Sequence, residues 1–315
     1  MSTISPTTRR ALRRRGPSWR PSALTWIIGS FVVVGAGVLL YPAAASWLSS
    51  YNQSRLIENF SSLLEGADPD LSEQLAQARE YNSALTAGVE LQANANVPAG
   101  SGSLANDELD YNRILAADTD GLMSRVKIPG IGVDIPTYHG TSDETLLQGA
   151  GHLEGSHLPV GGDSTHSVIT AHRGLANATM FTNLDQVQVD DTFTIETFGE
   201  VLSYRVRNTK VVQPEDTDSL RAEAGSDLVT LITCTPLGIN SHRILVTGER
   251  ITPTPDDDIA AAGAPSDIPG FPWWAVGMGG AVLAAGVYVW RAGVSDARLR
   301  AAAAARASSS APESP

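Results

Sequence analysis

Cysteine is almost absent from this 315-residue sequence, since Cys234 is the only one. A lone cysteine excludes an intramolecular disulfide framework and a zinc site built from several cysteines. Aromatic residues are also few, at 6%, but 42% of the residues are hydrophobic and 18% are charged, which is typical of a folded protein. Basic residues are scarce, with 22 Lys and Arg against 34 Asp and Glu. The resulting net charge of −12 argues against a general nucleic-acid-binding protein.

The few basic residues cluster at the two ends of the sequence. Residues 1–20 carry six Arg and no acid, and residues 291–315 carry four Arg against two acids, which leaves a net charge of −20 between them. Each basic end adjoins an uncharged apolar run, Ala23–Tyr41 or Trp273–Trp290. Runs of this length suffice for transmembrane helices, and basic flanks remain cytoplasmic. We therefore predict a two-pass protein of the cell membrane, with both termini cytoplasmic and the middle of the chain outside.

Each apolar run has an alternative interpretation. Small residues at Pro42–Ser46 would suit cleavage of a signal peptide, but the first run is longer than the usual apolar region of such a peptide. We therefore favour an uncleaved anchor. The second run could be a buried, glycine-rich core helix, although its aromatic ends and basic flank favour a membrane span.

The residue pattern changes along the part of the chain that is predicted to lie outside the cell. Two helical patterns, Leu48–Leu64 and Asp68–Thr86, precede a Gly/Ser/Ala/Asn-rich stretch. Seven or eight short apolar runs separated by Pro/Gly turns then predict a compact β-barrel or sandwich, with a short helix at Met180–Val187. The predicted segments are a basic leader (1–22), a transmembrane helix (23–41), N-terminal helices (48–92), a flexible segment (93–112), the mainly β domain (113–251), a solvated linker (252–272), a second transmembrane helix (273–290) and a cytoplasmic tail (291–315).

Cys234 is the candidate nucleophile. It ends a β-branched run and is followed by a Pro/Gly turn, and a strand end that opens into a loop is where catalytic side chains are presented. The alternative is a buried cysteine that acts as a small hydrophobic residue. A reactive thiol needs a nearby cation to form a thiolate at neutral pH.

His172 and Arg243 are the candidate partners of this thiol. His172 ends another apolar run, and an imidazole can hold a thiolate and then protonate a leaving amine. Arg243 follows Cys234 by nine residues, at the start of the next apolar run. A hairpin of that spacing would set the guanidinium beside the thiol, positioned for a substrate carbonyl or an oxyanion.

Five motifs, taken together and in this order, resemble the sortases: VDIPTYHG (133–140), GHLEGSHLPVGG (151–162), ITAHRG (169–174), TLITCTP (230–236) and NSHR (240–243). The TLxTC element is highly specific for that family. Matching elements run from about Leu48 to Ile251. The two terminal spans, with the HLEGS and ITAHRGL stretches, make the sequence most similar to class C, the pilus-assembling sortases of Gram-positive bacteria.

The resemblance implies an eight-stranded sortase-type β-barrel with short helices, an N-terminal helical segment and two flanking transmembrane helices. It implies Cys234 as nucleophile, His172 as general acid and base, and Arg243 as substrate or oxyanion stabiliser, without a cofactor. The implied reaction cleaves an LPxTG-like sorting signal between Thr and Gly and holds the Thr as a thioacyl-enzyme. An amine then resolves it, which is either a lysine of the next pilin or an amine of a cell-wall peptide.

One feature departs from the class C pattern. Members of that class usually carry a lid over the active site that is anchored by an Asp-Pro-aromatic motif. The corresponding stretch here, Ala93–Asp110, has no such motif, and Asp68-Pro69 lies too early and is better explained as a helix start. We therefore expect the lid to be shorter, held differently or absent. Without an aromatic side chain over Cys234, the active-site groove should be more open.

Supporting residues and other functions stay open at this point. Thr233, Thr230 and His242 are candidates for supporting the site or lining its groove, with packing or solvent exposure as the alternative. The histidines form no HExxH or HxxxH pair, which disfavours a metal site. The alternative functions are a housekeeping sortase that anchors surface proteins to peptidoglycan, a cysteine peptidase that releases its product to water, and an inactive membrane-anchored scaffold. The intact Cys–His–Arg set opposes the scaffold.

Overall fold

The short apolar runs become the strands of a barrel. The computed structural model describes residues 19–65, 70–86, 89–90, 99–100, 103–104, 109–266 and 268–309. Its barrel strands are β1 (Leu122–Ile128), β2 (Val133–His139), β3 (Ala150–His152), β4 (Thr165–Thr170), β5 (Thr192–Thr197), β6 (Glu200–Val212), β7 (Asp227–Thr235) and β8 (His242–Arg250). They close in the order β6-β8-β7-β4-β3-β2-β1-β5. The predicted eight-stranded barrel is confirmed.

Strand direction sets which residues become neighbours. The β4–β7 and β2–β3 pairs are parallel, and the other six pairs are antiparallel. In β7, Val229 and Leu231 belong to the main core cluster, whereas Ile232 packs in a different cluster with Leu245 of β8. Successive side chains of a strand point to opposite faces, so β7 has an inner and an outer face. Cys234 shares the outer face with Ile232.

Two local elements differ from the sequence prediction. The pattern does not predict β3, because this strand has only three residues and Gly151 at its centre. The helix predicted at Met180–Val187 is wrong, since the segment consists of turns and a single 3-10 turn at Leu184–Gln186. Met180 has a φ of 41°, a left-handed value that interrupts an α-helix. Its apolar spacing reflects packing into the barrel core instead.

Five α-helices lie in the described part of the chain: α1 (Ala23–Glu65), α2 (Asp70–Ala84), α3 (Asp143–Gln148), α4 (Asp256–Ala260) and α5 (Trp273–Ser309). By length and apolar composition, α1 and α5 are candidate membrane spans. The spans predicted at 23–41 and 273–290 lie within these longer helices. α1 continues through Pro42 because a proline removes only one helical hydrogen bond and Ala43–Ala45 are strong helix formers.

The described residues divide into two units, one within Met1–Tyr41 and Pro272–Pro315 and the other within Pro42–Phe271. In the first unit, α1 and α5 approach closely at small residues. A Cβ on Gly29 would lie 3.1 Å from Val289, and one on Gly277 would lie 3.5 Å from Leu40. Small residues of this kind are typical of contacts between membrane-spanning helices.

In the second unit, α2 packs on the barrel through one apolar face. Leu75, Ala78 and Tyr81 are buried in a cluster that also contains Met123 of β1. The amide of Asn82 fastens the same helix, because its Nδ2 donates to the Leu158 carbonyl at 3.0 Å and its Oδ1 accepts from the Leu158 N–H at 2.7 Å. The helix therefore ends against the barrel.

Most of the predicted lid-like segment, residues 93–112, lies outside the described residues. The parts that are described include two short antiparallel pairings, in which residues 103–104 pair with 85–86 and residues 99–100 pair with 89–90. The helix predicted to end at Thr86 therefore gives way to extended backbone after Ala84. Leader residues 1–18 and tail residues 310–315 also lie outside the described residues.

A buried ion pair fastens the segment after the barrel. The Nε and Nη2 of Arg125 each donate to the Asp134 carboxylate at 2.7 Å, and Arg125 is 1% exposed. Its Nη1 donates to Glu196 at 3.3 Å and to the Ala264 carbonyl at 2.9 Å. The predicted linker, residues 252–272, is therefore hydrogen-bonded to the barrel rather than simply solvated.

Replacing Asp134 by asparagine should destabilise the barrel. The substitution removes the closer of the two carboxylates that compensate the buried Arg125 charge, so we expect a loss of about 3 kcal/mol in the free energy of unfolding. Urea unfolding of the full-length protein in detergent micelles measures this change. The matched control is Glu200→Gln, which breaks the exposed pair with Arg79 and should cost less than about 1 kcal/mol. Equal losses in the two variants would contradict the prediction.

Candidate active site

Cys234 lies near the end of β7, directly opposite Arg243 of β8. The two residues are cross-strand partners in the antiparallel ladder, a relation that sets Cβ atoms about 5 Å apart. Cys234 is 8% exposed and Arg243 is 1% exposed. Two of the three predicted catalytic residues are therefore neighbours, and the guanidinium charge lies beside the thiol.

His172 follows β4, whose last residue is Thr170. In the parallel ladder Thr170 pairs with Ile232, and the Ala171 N–H donates to the Ile232 carbonyl at 3.2 Å. If this register continues for two more residues, His172 lies level with Cys234 of β7. Neighbouring strands lie about 4.8 Å apart. Ala171 packs in the barrel core, so alternation directs His172 to the outer face that Cys234 occupies.

Cys234 and Arg243 thus lie opposite each other on two adjacent strands, and His172 lies in the segment that directly follows the strand on the other side of β7. β7 is central and carries the thiol, β4 leads into the imidazole, and β8 carries the guanidinium. The Nη1 of Arg243 is held by the carbonyls of Asn240 at 2.9 Å and His242 at 3.0 Å. The short loop between β7 and β8 therefore orients the arginine.

Burial sets the protonation of the thiol and the imidazole. It raises the pKa of the Cys234 thiol, and the positive charge of Arg243 opposes this shift. Burial also lowers the pKa of His172, and the carboxylate of Asp143 in α3 opposes that shift. At neutral pH the site therefore holds mainly a neutral thiol beside a neutral imidazole. Such an imidazole is ready to accept the thiol proton, as a general base requires.

The three supporting candidates occupy different places. Thr233 is buried, and its hydroxyl donates to the Ala171 carbonyl at 2.8 Å, which ties β7 to the residue before His172. Thr230 is fully buried in a polar cluster, where its hydroxyl contacts His166 at 2.7 Å. His242 is partly exposed, and its Nε2 lies 2.9 Å from the Gln213 amide.

Arg173, the residue directly after His172, has a largely buried side chain. It pairs with Asp185, at 2.6 Å between Nη2 and Oδ2, and its side chain is only 8% exposed. Its Nη1 also donates to the Thr235 hydroxyl at 2.8 Å, and its Nε donates to the Thr182 carbonyl at 3.0 Å. In the sequence, the position of Arg173 directly after His172 was the only indication that it lies close to the candidate active site.

The other histidines have structural roles in the described part of the chain. Both ring nitrogens of His139 lie 2.8 Å from backbone carbonyls, of Gly121 and Ile114. His152 contacts the Tyr111 hydroxyl at 2.9 Å, and burial lowers its pKa to about 3, so it stays neutral. Among the described residues, no three His, Cys, Asp or Glu side chains group as ligands for a metal ion.

Comparison with known proteins identifies relatives of this arrangement. A family model described as the sortase domain matches residues 126–251. The crystal structure of sortase C-1 from Actinomyces oris is 46% identical and covers 57% of this chain and 98% of its own, with a TM-score of 0.51. Sortase C-1 from Streptococcus pneumoniae is 41% identical and covers 62% and 98%, with a TM-score of 0.54. Sortase D of Bacillus subtilis (strain 168) is 27% identical over 131 residues, which are 40% of this chain and 63% of that protein's length.

Proposed function

Because the chain belongs to the sortase family, we propose that it is a membrane-anchored cysteine transpeptidase. It would cleave an LPxTG-like sorting signal and join the new carboxyl end to the lysine of a pilin subunit. The proposal is supported by the cross-strand pairing of Cys234 with Arg243 and by the β4–β7 register, which directs the residues after Thr170, including His172, toward Cys234. Nucleophile, base and fixed positive charge are the parts that acyl transfer through a thioester needs.

In the first half-reaction the Cys234 sulfur attacks the threonine carbonyl carbon of the sorting signal. His172 accepts the thiol proton and passes it to the glycine amine as the C–N bond breaks. Arg243 offers positive charge to the developing oxyanion. A thioester remains on Cys234. It retains the energy of the peptide bond, so joining needs no ATP.

In the second half-reaction an amine attacks the thioester. Its proton passes to His172, a C–N bond forms, the C–S bond breaks, and the thiol recovers its proton. Water would give hydrolysis by the same steps, so relative access to the thioester decides between a transpeptidase and a peptidase. A pilin lysine is favoured because a related structure, Streptococcus pneumoniae sortase C, is described in terms of pilin substrate specificity.

The decisive experiment uses the full-length protein in detergent micelles. It is incubated with an LPxTG peptide alone, with a peptide that carries a pilin-motif lysine, or with a cell-wall peptide amine, and is analysed by mass spectrometry. A thioacyl adduct on Cys234 together with a lysine isopeptide would support pilus polymerisation. An adduct resolved only by a cell-wall peptide amine would favour the housekeeping function, and one resolved only by water would favour a peptidase. The absence of any adduct with several sorting peptides would contradict the proposal and favour a scaffold.

The membrane arrangement is part of the proposal. The basic residues that flank both apolar runs support cytoplasmic termini, which places the barrel outside the cell. A protease added to intact protoplasts should then cut the barrel but spare an epitope tag at either terminus. Digestion of a terminal tag before lysis would contradict this topology.

Replacing Arg243 by lysine should lower the rate of thioacyl formation by about 100-fold. A lysine keeps the charge, but it cannot reproduce the planar fork that the β7–β8 loop holds in place. Stopped mixtures of enzyme and sorting peptide, analysed by mass spectrometry, give the rate. The matched control is Arg250→Lys at the far end of the same strand, for which we expect a change of less than about threefold. Full activity of the Arg243 variant would assign that residue to packing.

A further inference from the structure

His172 lies just beyond the backbone ladder that aligns β4 with β7. In the proposed mechanism His172 must lie close enough to Cys234 to take its proton. Two side-chain hydrogen bonds connect the residues next to His172 with the residues next to Cys234. Thr233 donates to the Ala171 carbonyl at 2.8 Å, one residue before the pair, and Arg173 donates to the Thr235 hydroxyl at 2.8 Å, one residue after it.

We propose that Arg173 is a positioning residue of this active site, and that its hydrogen bond to Thr235 sets the separation between His172 and Cys234. The inference rests on the proposed function, because it assigns a role to that separation. Arg173 is directly bonded in sequence to His172, and Thr235 is directly bonded to Cys234. A rigid contact between Arg173 and Thr235 therefore restrains the distance between His172 and Cys234.

The other contacts of Arg173 make it a rigid support. Its Nε donates to the Thr182 carbonyl, and its Nη2 pairs with Asp185. Phe181 and Thr182 also hold the backbone on either side of Arg173. The Phe181 N–H donates to the His172 carbonyl at 3.1 Å, and the Gly174 N–H donates to the Thr182 hydroxyl at 3.1 Å. The guanidinium is thus held by two contacts, with Thr182 and Asp185, in addition to its hydrogen bond to Thr235 of β7.

Geometry rather than charge carries this role. The carboxylate of Asp185 compensates the Arg173 charge at 2.6 Å. A planar fork can bond a carbonyl, a hydroxyl and a carboxylate at once in fixed directions, whereas a lysine ammonium is a point charge on a flexible stem. We therefore expect Arg173→Lys to behave like Arg173→Gln rather than like the parent.

Thr235→Val is the sharpest variant, because it removes only the acceptor and leaves the other contacts of Arg173 intact. Loosening the pair should slow thioacyl formation by about tenfold or more, since a displacement of about 1 Å can cost 100-fold. Thr235→Ser keeps the hydroxyl and should restore the parent rate. The urea midpoints of all three proteins should agree, which separates positioning from stability.

A second readout needs no sorting peptide. The rate of Cys234 alkylation by iodoacetamide is measured against pH for the full-length parent, His172→Ala, Thr235→Val and Arg173→Gln. If Arg173 positions the pair, the Thr235→Val and Arg173→Gln profiles should shift toward that of His172→Ala. The matched control is Arg207→Gln, which removes another ion-paired arginine, the partner of Glu223 and Glu249, and should leave the profile unchanged.

The double variant Arg173→Gln/Thr235→Val completes the test. A shared hydrogen bond predicts that the second substitution adds little, so the double variant should be no slower than Arg173→Gln alone. Rates that multiply, or a Thr235→Val profile identical to the parent, would overturn the proposal. An alkylation profile unaffected by His172→Ala would also overturn it, because there would be no pair to position. Absence of a peptide adduct alongside shifted alkylation profiles would refute only the proposed function.

Discussion

Replacing Cys234 by alanine is expected to abolish both the thioacyl adduct and the isopeptide product. The sulfur is the atom to which the acyl group would be attached, and no other cysteine exists in the sequence to replace it. Loss of the nucleophile lowers turnover by about 10⁶-fold in a well-studied hydrolase, and we expect a loss of similar size here. Mass spectrometry of the full-length variant with the sorting peptide and the lysine donor measures both species.

The barrel of this variant should stay folded. Cys234 is 8% exposed at the end of a strand, and removing one sulfur atom there should cost about 1 kcal/mol. Urea unfolding of parent and variant provides the control. Isopeptide formed by Cys234→Ala at the parent rate would refute covalent catalysis at this position. A variant that is inactive because it is unfolded would show a collapsed urea transition, and Cys234→Ser would then replace it.

Replacing His172 by alanine should lower the rate of thioacyl formation by about 10³-fold, since general acid–base catalysis contributes about 10² to 10⁴. The imidazole would take the thiol proton and deliver it to the leaving amine, and an alanine side chain has no group that can do either. His172→Gln should be equally slow, because glutamine keeps most of the volume but does not titrate. Activity of either variant near the parent rate would exclude His172 as the base.

The pH dependence follows from the directions of the two pKa shifts. Burial raises the pKa of Cys234 and lowers that of His172, so transfer activity needs His172 unprotonated and the thiol able to give its proton. Activity should fall on the acid side below the usual histidine range and on the alkaline side above the usual cysteine range. The predicted plateau is therefore broad.

Alkylation tests the pairing of thiol and imidazole more directly. In the parent, proton transfer to His172 generates some thiolate below the raised pKa of Cys234. Without the imidazole, thiolate forms only through that raised pKa, so alkylation of His172→Ala at neutral pH should be about tenfold slower and should recover at alkaline pH. Superimposable profiles would mean that His172 is not the partner of Cys234.

Much of the fold follows from local pattern. The β-branched runs between Pro/Gly turns predict strands whose central parts the structure confirms, because a half-buried strand imposes its own alternation and composition. Boundaries were less predictable. β6 extends to Val212, and α1 runs through Pro42, since strand pairing and neighbouring helix formers outweigh a local stop signal.

The failed helix at Met180–Val187 shows the limit of periodicity. Its apolar residues recur at helical spacing, but the segment forms turns and one 3-10 turn, and these apolar side chains are buried in the main core cluster of the barrel. Packing against the rest of the barrel determined the conformation of this segment. A single sequence window contains no information about that surface.

By itself the sequence determined the chemical inventory and the family: one thiol, a histidine and an arginine at strand ends, and the TLxTC element. Their catalytic roles stay predictions that the variants above test. Only the tertiary structure decided which residues are neighbours. The parallel β4–β7 register pairs residues 62 positions apart in the sequence, and its continuation past Thr170 brings His172 toward Cys234, while the contact of Arg173 with Thr235 has the same separation. Such contacts arise because closing a barrel sets strand order and register together, which residue types in sequence order do not specify.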